Sequence, residues 1–232
     1  MQIAPLLHVG RGVTAIIGGG GKTTLMETLA GELSKKGKVI ITTTTHICRP
    51  KQYETLLDAD EAAVSAALER SGIVCVASQA ESGKLCAPWL SMGTLAQLAD
   101  FVLVEADGAK RLPCKVPAAH EPVLLPESDI VQAVAGLSAL GRPLQECCFR
   151  TELACALLGV PPETCLTPDL LARLLACGQG GRKGVGTRAF GVVLNQADTP
   201  ERTLLGKQSL KILWEQDRVR GVLTHFDEGE RA

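Results

Sequence analysis

An α/β fold, a mostly parallel sheet with helices on both faces and a small helical insertion, is what the sequence predicts on two observations. Short apolar, often β-branched runs at 13–17, 38–42, 73–77, 101–105, 130–135, 190–194 and 219–223 have the length and composition of strands. Helix-like stretches at 22–36, 52–70, 91–99 and 200–216 lie between several of them. Strand and helix alternating at this spacing indicate parallel strands joined by crossovers that cover both faces of the sheet.

The first strand leads into VTAIIGGGGKTT, residues 13–24, the stretch on which the functional reading depends. Gly18, Gly19, Gly20 and Gly21 can take positive φ and bring backbone N–H groups up to an anion with no Cβ in the way. If a helix starts at Lys22, bound phosphate also meets the positive end of the helix dipole. Lys22 would reach the β- and γ-phosphates, the Thr23 hydroxyl would ligate magnesium, and Thr24 continues the hydroxyl pair. The strict phosphate-loop pattern G-x-x-x-x-G-K-[ST] wants a glycine where Ile16 stands, so the match is partial. The dinucleotide fingerprint G-x-G-x-x-G does not fit either, because Lys22 and the threonines have no part in it. A flexible linker is the bland alternative, and the strand and helix patterns on either side count against it.

In an open α/β sheet ligands sit at the carboxyl ends of the strands, so the residues ending each run matter. Thr42, Thr43, Thr44, Thr45 and His46 end the second: a hydroxyl row able to position a γ-phosphate, a magnesium ion or an attacking water, or simply a β-prone edge. The run 101–105 ends in Glu105, followed by Asp107 and Gly108. This E-x-D-G parallels the D-x-x-G element of GTPases, with a carboxylate for magnesium and a Gly108 N–H for the γ-phosphate. The loop AKRLPCKVPAAHEP carries Lys110, Arg111, Lys115, His120 and Glu121 between three prolines and reads as a recognition loop or a solvated surface. TELACALLG and TPDLLARLLACG read as two helices within a 150–180 insertion in a single 1–232 domain. GQGGRKGVG after them reads as a flexible connector near the site. The run 190–194 leads to Asn195, Gln196, Ala197 and Asp198, one mismatch from the guanine-reading N-K-x-D; a helix cap is the alternative.

Composition narrows the classes. With 24 basic and 25 acidic residues in 232, charge gives no argument for nucleic acid or an anionic membrane. At 3% aromatic, stacking platforms for single strands are not expected. Residues 1–10 lack a basic start with a long apolar core, and no run is long enough to span a bilayer, so a cytoplasmic protein is expected. Nine cysteines form no C-x-x-C pair and read as small buried hydrophobes, with a metal site at Cys147–Cys148 or Cys48 and His46 as a minority reading.

With IIGGGGKTT, ITTTTHI, VLVEADGAKRLPCKVPAAHEP and VVLNQAD in this order, the sequence resembles the selenium-dependent molybdenum hydroxylase accessory proteins of the YqeC type. That family looks like a branch of the P-loop NTPases related to the SIMIBI class. Ile17 stands where the ParA and MinD members of that class carry a second lysine, so dimerisation through such a lysine is not implied. The resemblance implies help in maturing a molybdenum hydroxylase or its cofactor, with a client or maturation protein as partner.

Together these readings give a magnesium-dependent nucleoside triphosphatase, with GTP preferred to ATP. The loop glycines, Lys22, Thr23, Thr24, Gly108, Asn195 and Asp198 would hold the nucleotide, and Thr23 and Glu105 the magnesium. Lys22 would neutralise phosphoryl charge, and Asp107 or a threonine such as Thr44 would orient water. Arg150 and Arg182 are the candidate arginines in cis. A phospho- or nucleotidyltransferase acting on a cofactor precursor, and a non-hydrolysing nucleotide-dependent adaptor, are the alternatives.

Overall fold

In a computed structural model, residues 2–81 and 83–226 are described. The first half runs β1 (Gly12–Gly18), α1 (Lys22–Leu33), β2 (Val39–Thr43), β3 (His46–Ile47), β4 (Glu54–Leu57), α2 (Glu61–Ser71), β5 (Ile73–Gln79), β6 (Leu85–Cys86), α3 (Met92–Leu98) and β7 (Phe101–Glu105). The second half runs β8 (Cys114–Lys115), β9 (Ser128–Gly136), α4 (Leu144–Cys147), β10 (Cys148–Phe149), α5 (Thr151–Leu158), α6 (Pro168–Ala176), β11 (Ala189–Asn195), α7 (Pro200–Asp217) and β12 (Arg220–Leu223). Among the described residues ten strands make one sheet, ordered β12-β11-β9-β1-β7-β2-β5, with β4 parallel to the outer edge of β5. Only β6 among them is reversed, pairing antiparallel with the end of β5 on one side and with β3 on the other. This is an α/β, P-loop NTPase-like fold.

Alternation along the parallel strands buries both faces. Ile16, Ile41, Leu103, Val134 and Val193 face α1 and residues 3–9, where Leu25 and Leu29 are fully buried; each such side chain contributes about 1.5–3 kcal/mol. Ala15, Ile17, Val131, Ala133, Val192 and Leu194 face the other way, against Leu171, Leu174 and Leu175 of α6 and Leu213 of α7. On that same face Val102 and Val104 meet Val64 and Leu68 of α2 and Leu95 of α3.

All seven strand readings hold, and three departures have local causes. Residues 52–70 are not one helix: Glu54–Leu57 pairs with β5, Asp58 turns at φ +49, and Asp60 caps α2 by accepting the Ala63 N–H at 2.8 Å. Apolar Leu56 and Leu57 fit either period, and the Asp-Ala-Asp turn decides. The two-residue pair β8–β10 and short α4 carry no sequence periodicity. The 178–186 connector is packed, with Val185 1% exposed and Gly180 and Gly181 pressed on the carbonyls of Leu174 and Leu175. It feeds the amino end of β11, the opposite edge of the sheet from the glycine loop. Among the described residues no helix is long and apolar enough to cross a membrane.

Candidate functional site

Strand register brings the glycine turn and the carboxylates at the end of β7 together. β7 lies between β1 and β2, and Glu105 pairs with Ile16 on one side and Thr43 on the other. The turn at 18–21 therefore leaves the sheet beside Glu105 and Asp107. Gly18, Gly20 and Gly21 have φ of +96, +75 and +122, which disfavours any residue with a Cβ. The loop is also pressed inward: a Cβ on Gly20 would stand 2.2 Å from the Gly136 nitrogen, and one on Gly21 2.1 Å from Asn195 Nδ2. Asn195 braces the turn by donating from Nδ2 to the Gly20 carbonyl at 3.0 Å, while its Oδ1 accepts the Thr224 hydroxyl at 3.1 Å.

Four helices carry a side-chain cap, while α4 and α5 lack one but hold Glu146 and Glu152 in their first turns. Asp60, Ser91, Thr167 and Thr199 each accept a backbone N–H at the start of α2, α3, α6 and α7. α1 follows Gly21 with no side-chain cap and no acidic residue in its first turn. Among the described residues the N–H groups of Gly20, Gly21, Lys22, Thr23 and Thr24 meet no acceptor. Uncapped donors at a half-buried helix end are suited to an anion.

Charge at the site is organised as a buried chain. Lys22, 5% exposed, donates to the Gly18 carbonyl at 2.7 Å and faces Asp107 at 3.2 Å and Glu105 at 3.5 Å. Asp107 accepts the Gly18 N–H at 3.0 Å and faces Lys115 at 3.0 Å. Lys115 donates to the Gly108 carbonyl and to Glu121, each at 2.7 Å, and Arg150 donates to Glu121 at 2.7 Å and stacks over Phe149. Three cations alternate with three carboxylates, so the network is neutral as a whole. Burial pushes the Glu105 carboxyl above its usual range; Lys22 and Thr23 oppose the shift and Asp107 adds to it. For Glu121 burial also pushes upward, but hydrogen bonds from Arg150 and Lys115 outweigh it and hold the group at about 2.

The Thr23 hydroxyl lies 3.3 Å from Glu105 Oε2. A hydroxyl and a carboxylate form a hard, oxygen-only donor pair suited to magnesium, which takes one or two protein oxygens and completes its shell with phosphate and water. No cluster of three or more His, Cys, Asp or Glu able to hold a metal by itself occurs among the described residues.

Other residues singled out by the sequence are tied up within this centre or lie away from it. Thr44 donates its hydroxyl to the Val123 carbonyl at 2.9 Å, and Thr43 donates to the Glu105 carbonyl at 2.8 Å. His46 is exposed on β3. Lys115, read as part of an open basic loop, is buried inside the ion-pair chain. Arg150 is committed to Glu121, and Arg182 stacks on Phe190 at the far edge. Gly108 is not in the left-handed region, and its carbonyl is taken by Lys115. Gln196 sits at φ +66 and accepts the Ser138 hydroxyl at 2.6 Å; Asp198 pairs with Arg202 at 3.1 Å on the surface. Ser138, Asn195, Gln196, Asp198, Thr203 and Phe226 line a cavity of ≈ 830 Å³. Asn195 joins that cavity to the glycine turn.

Cys75, Cys114, Cys147 and Cys148 are buried and Cys48 and Cys165 exposed. Cys114 pairs in register with Cys148. A hydrogen bond with Cys148 and burial raise the Cys114 thiol, and burial lifts Cys147 to about 11. Cys114 and Cys147 are thereby kept as inert thiols at neutral pH.

Comparison with known proteins gives two similarities. A family model described as YqeC protein matches residues 14–152, a span that holds the glycine turn, Glu105, Asp107, Lys115, Glu121 and Arg150 and ends before the 195–198 turn. The uncharacterized protein YqeC of Escherichia coli (strain K12) is 33% identical over 182 residues, 75% of this chain and 71% of that protein.

Proposed function

Because the chain belongs to the YqeC protein family, we propose that it binds a nucleoside triphosphate with magnesium and hydrolyses it slowly. The turnover serves the maturation of a molybdenum hydroxylase or of its cofactor. The observation that carries this reading is the uncapped start of α1: free N–H groups from Gly20 to Thr24 surround the point where Lys22, Thr23 and Glu105 converge. Phosphate oxygens would take those donors. Lys22, turned onto the Gly18 carbonyl, would swing to the β- and γ-phosphates, and the buried Glu105 carboxylate would gain a compensating cation.

Attack of water on the γ-phosphorus breaks its bond to the β–γ bridging oxygen. Nucleoside diphosphate and inorganic phosphate result, and one proton passes to phosphate or solvent. When bound, magnesium would neutralise charge on the β- and γ-oxygens, with the Thr23 hydroxyl and Glu105 as its protein ligands. Asp107, tied to Gly18, Lys22 and Lys115, acts in this reading as the clamp that sets both lysines. Among the described residues that leaves no free carboxylate over the turn to activate water, which favours slow intrinsic turnover and a switch-like use of the bound nucleotide. The cavity beside Asn195 would take the base. Asp198 at its rim would accept the guanine N1 and N2 hydrogens, which favours GTP over ATP.

Calorimetric titration with a non-hydrolysable GTP analogue, with and without magnesium, tests the reading. The unmodified protein binds with magnesium, and Lys22→Ala loses about a hundredfold or more in affinity. Equal binding by the two proteins, or none by either, would sink it.

A further inference from the structure

The segment between Asp107 and Lys115 makes a tight turn that its residues do not favour. Leu112 N–H donates to the Ala109 carbonyl at 2.9 Å, and the two central residues, Lys110 and Arg111, have φ of +48 and +63. Two positive φ values in succession belong to turns that Asn-Gly or Asp-Gly normally fill. A lysine and an arginine held there carry backbone strain, and such strain gathers where a side chain must be presented.

The turn sits against the phosphate loop. A Cβ on Gly19 would stand 2.5 Å from the Leu112 carbonyl oxygen, and one on Gly20 2.9 Å from that of Pro113. The neighbouring cations are engaged: Lys22 and Lys115 with Asp107, Arg150 with Glu121, and Lys110 over the Phe149 ring at 5.1 Å. Arg111 is exposed and has no hydrogen-bond, ion-pair or ring partner among the described residues. A strained backbone thus holds an exposed arginine, unengaged among the described residues, one residue before the carbonyl that packs on Gly19.

We propose that Arg111 reads the terminal phosphoryl group of a triphosphate seated on residues 18–24 and stabilises the charge that grows there during transfer. This rests on the phosphate-site reading above. The guanidinium is planar, permanently charged and able to give two parallel N–H bonds to a phosphoryl oxygen pair. It acts on the same atoms as Lys22, and it supplies the charge that neither Arg150, committed to Glu121, nor Arg182, stacked on Phe190, supplies.

The test compares the unmodified protein with Arg111→Ala, Arg111→Lys and Arg111→Gly. Three quantities are read with magnesium present: affinity for GDP, affinity for GDP with aluminium fluoride, and melting temperature. Arg111→Ala keeps the GDP affinity and loses the aluminium-fluoride enhancement by about 10²–10³-fold. Arg111→Lys restores only part of it, since a point charge lacks the fork. Arg111→Gly melts higher than the unmodified protein, because left-handed strain is relieved, and still lacks the enhancement. Full enhancement in Arg111→Ala would overturn the proposal while leaving the nucleotide site standing. A lower melting temperature in Arg111→Gly, lost together with the enhancement, would make the residue structural and overturn it too. An unmodified protein that binds no nucleotide overturns both readings.

Discussion

Replacing Lys115 with methionine keeps the length of the side chain and removes one ammonium from the middle of the ion-pair chain. Lys115 is 2% exposed at its side chain, lies 3.0 Å from Asp107 and 2.7 Å from Glu121, and donates to the Gly108 carbonyl at 2.7 Å. Removing one partner of a buried pair costs about 3–5 kcal/mol, because the charge left behind is uncompensated. Here Asp107 keeps Lys22 at 3.2 Å and Glu121 keeps Arg150 at 2.7 Å. The cost therefore falls at the lower end, about 3 kcal/mol. At about 2–4 °C per kcal/mol for a chain of this size, the melting temperature drops by about 6–12 °C. Calorimetry and urea unfolding at pH 7 measure it. The double variant Lys115→Met with Glu121→Gln recovers part of the loss, since the second change removes a carboxylate that the first left short of a cation. A loss under about 1 kcal/mol, the range of an exposed pair, or strict additivity in the double variant would refute the reasoning.

Acid should act through Glu121: the unfolded chain takes up that proton near the ordinary 4.5 and the folded chain only near 2. Its stabilisation is complete above pH 4.5 and is lost as pH falls toward 2, so urea unfolding across this window is steeper in the unmodified protein than in Glu121→Gln. Glu105 has the opposite sign, since the folded state holds its proton more tightly than the unfolded chain. Glu105→Gln is accordingly no less stable at pH 7 by thermal melting, yet it weakens the magnesium-dependent part of nucleotide binding by roughly tenfold or more. Asp198→Asn weakens GTP and improves XTP in competition titrations, because the amide offers a donor to the xanthine carbonyl. The exposed Arg202 pair it gives up is worth under about 1 kcal/mol, so melting barely moves, and an unchanged GTP to XTP ratio would count against the base cavity.

Much of the architecture is legible in the sequence because parallel strands are buried on both faces and announce themselves as apolar runs. The meeting of Gly18, Lys22 and Glu105 follows from the same rule, since ligand-facing residues of such a sheet come from strand ends. Asn195 is legible as a strand-end residue, but its hydrogen bond to the Gly20 carbonyl is not. Lys115, Glu121 and Arg150 look like surface charges in a proline-rich loop and a helix start. Only the β8–β10 pairing, two residues long, folds them into one buried chain. The turn at Lys110 and Arg111 escapes sequence reasoning for the opposite reason: its backbone asks for Asn-Gly, and the residues present contradict it.

The most direct measurement is the ¹H–¹⁵N spectrum of the protein titrated with a non-hydrolysable GTP analogue and magnesium. The amides of Gly20, Gly21, Lys22, Thr23 and Thr24, free of protein acceptors, are expected to shift downfield together as phosphate oxygens take their hydrogens. Amides that stay where they are at saturating nucleotide, while signals elsewhere move or none do, would contradict a phosphate site at the head of α1.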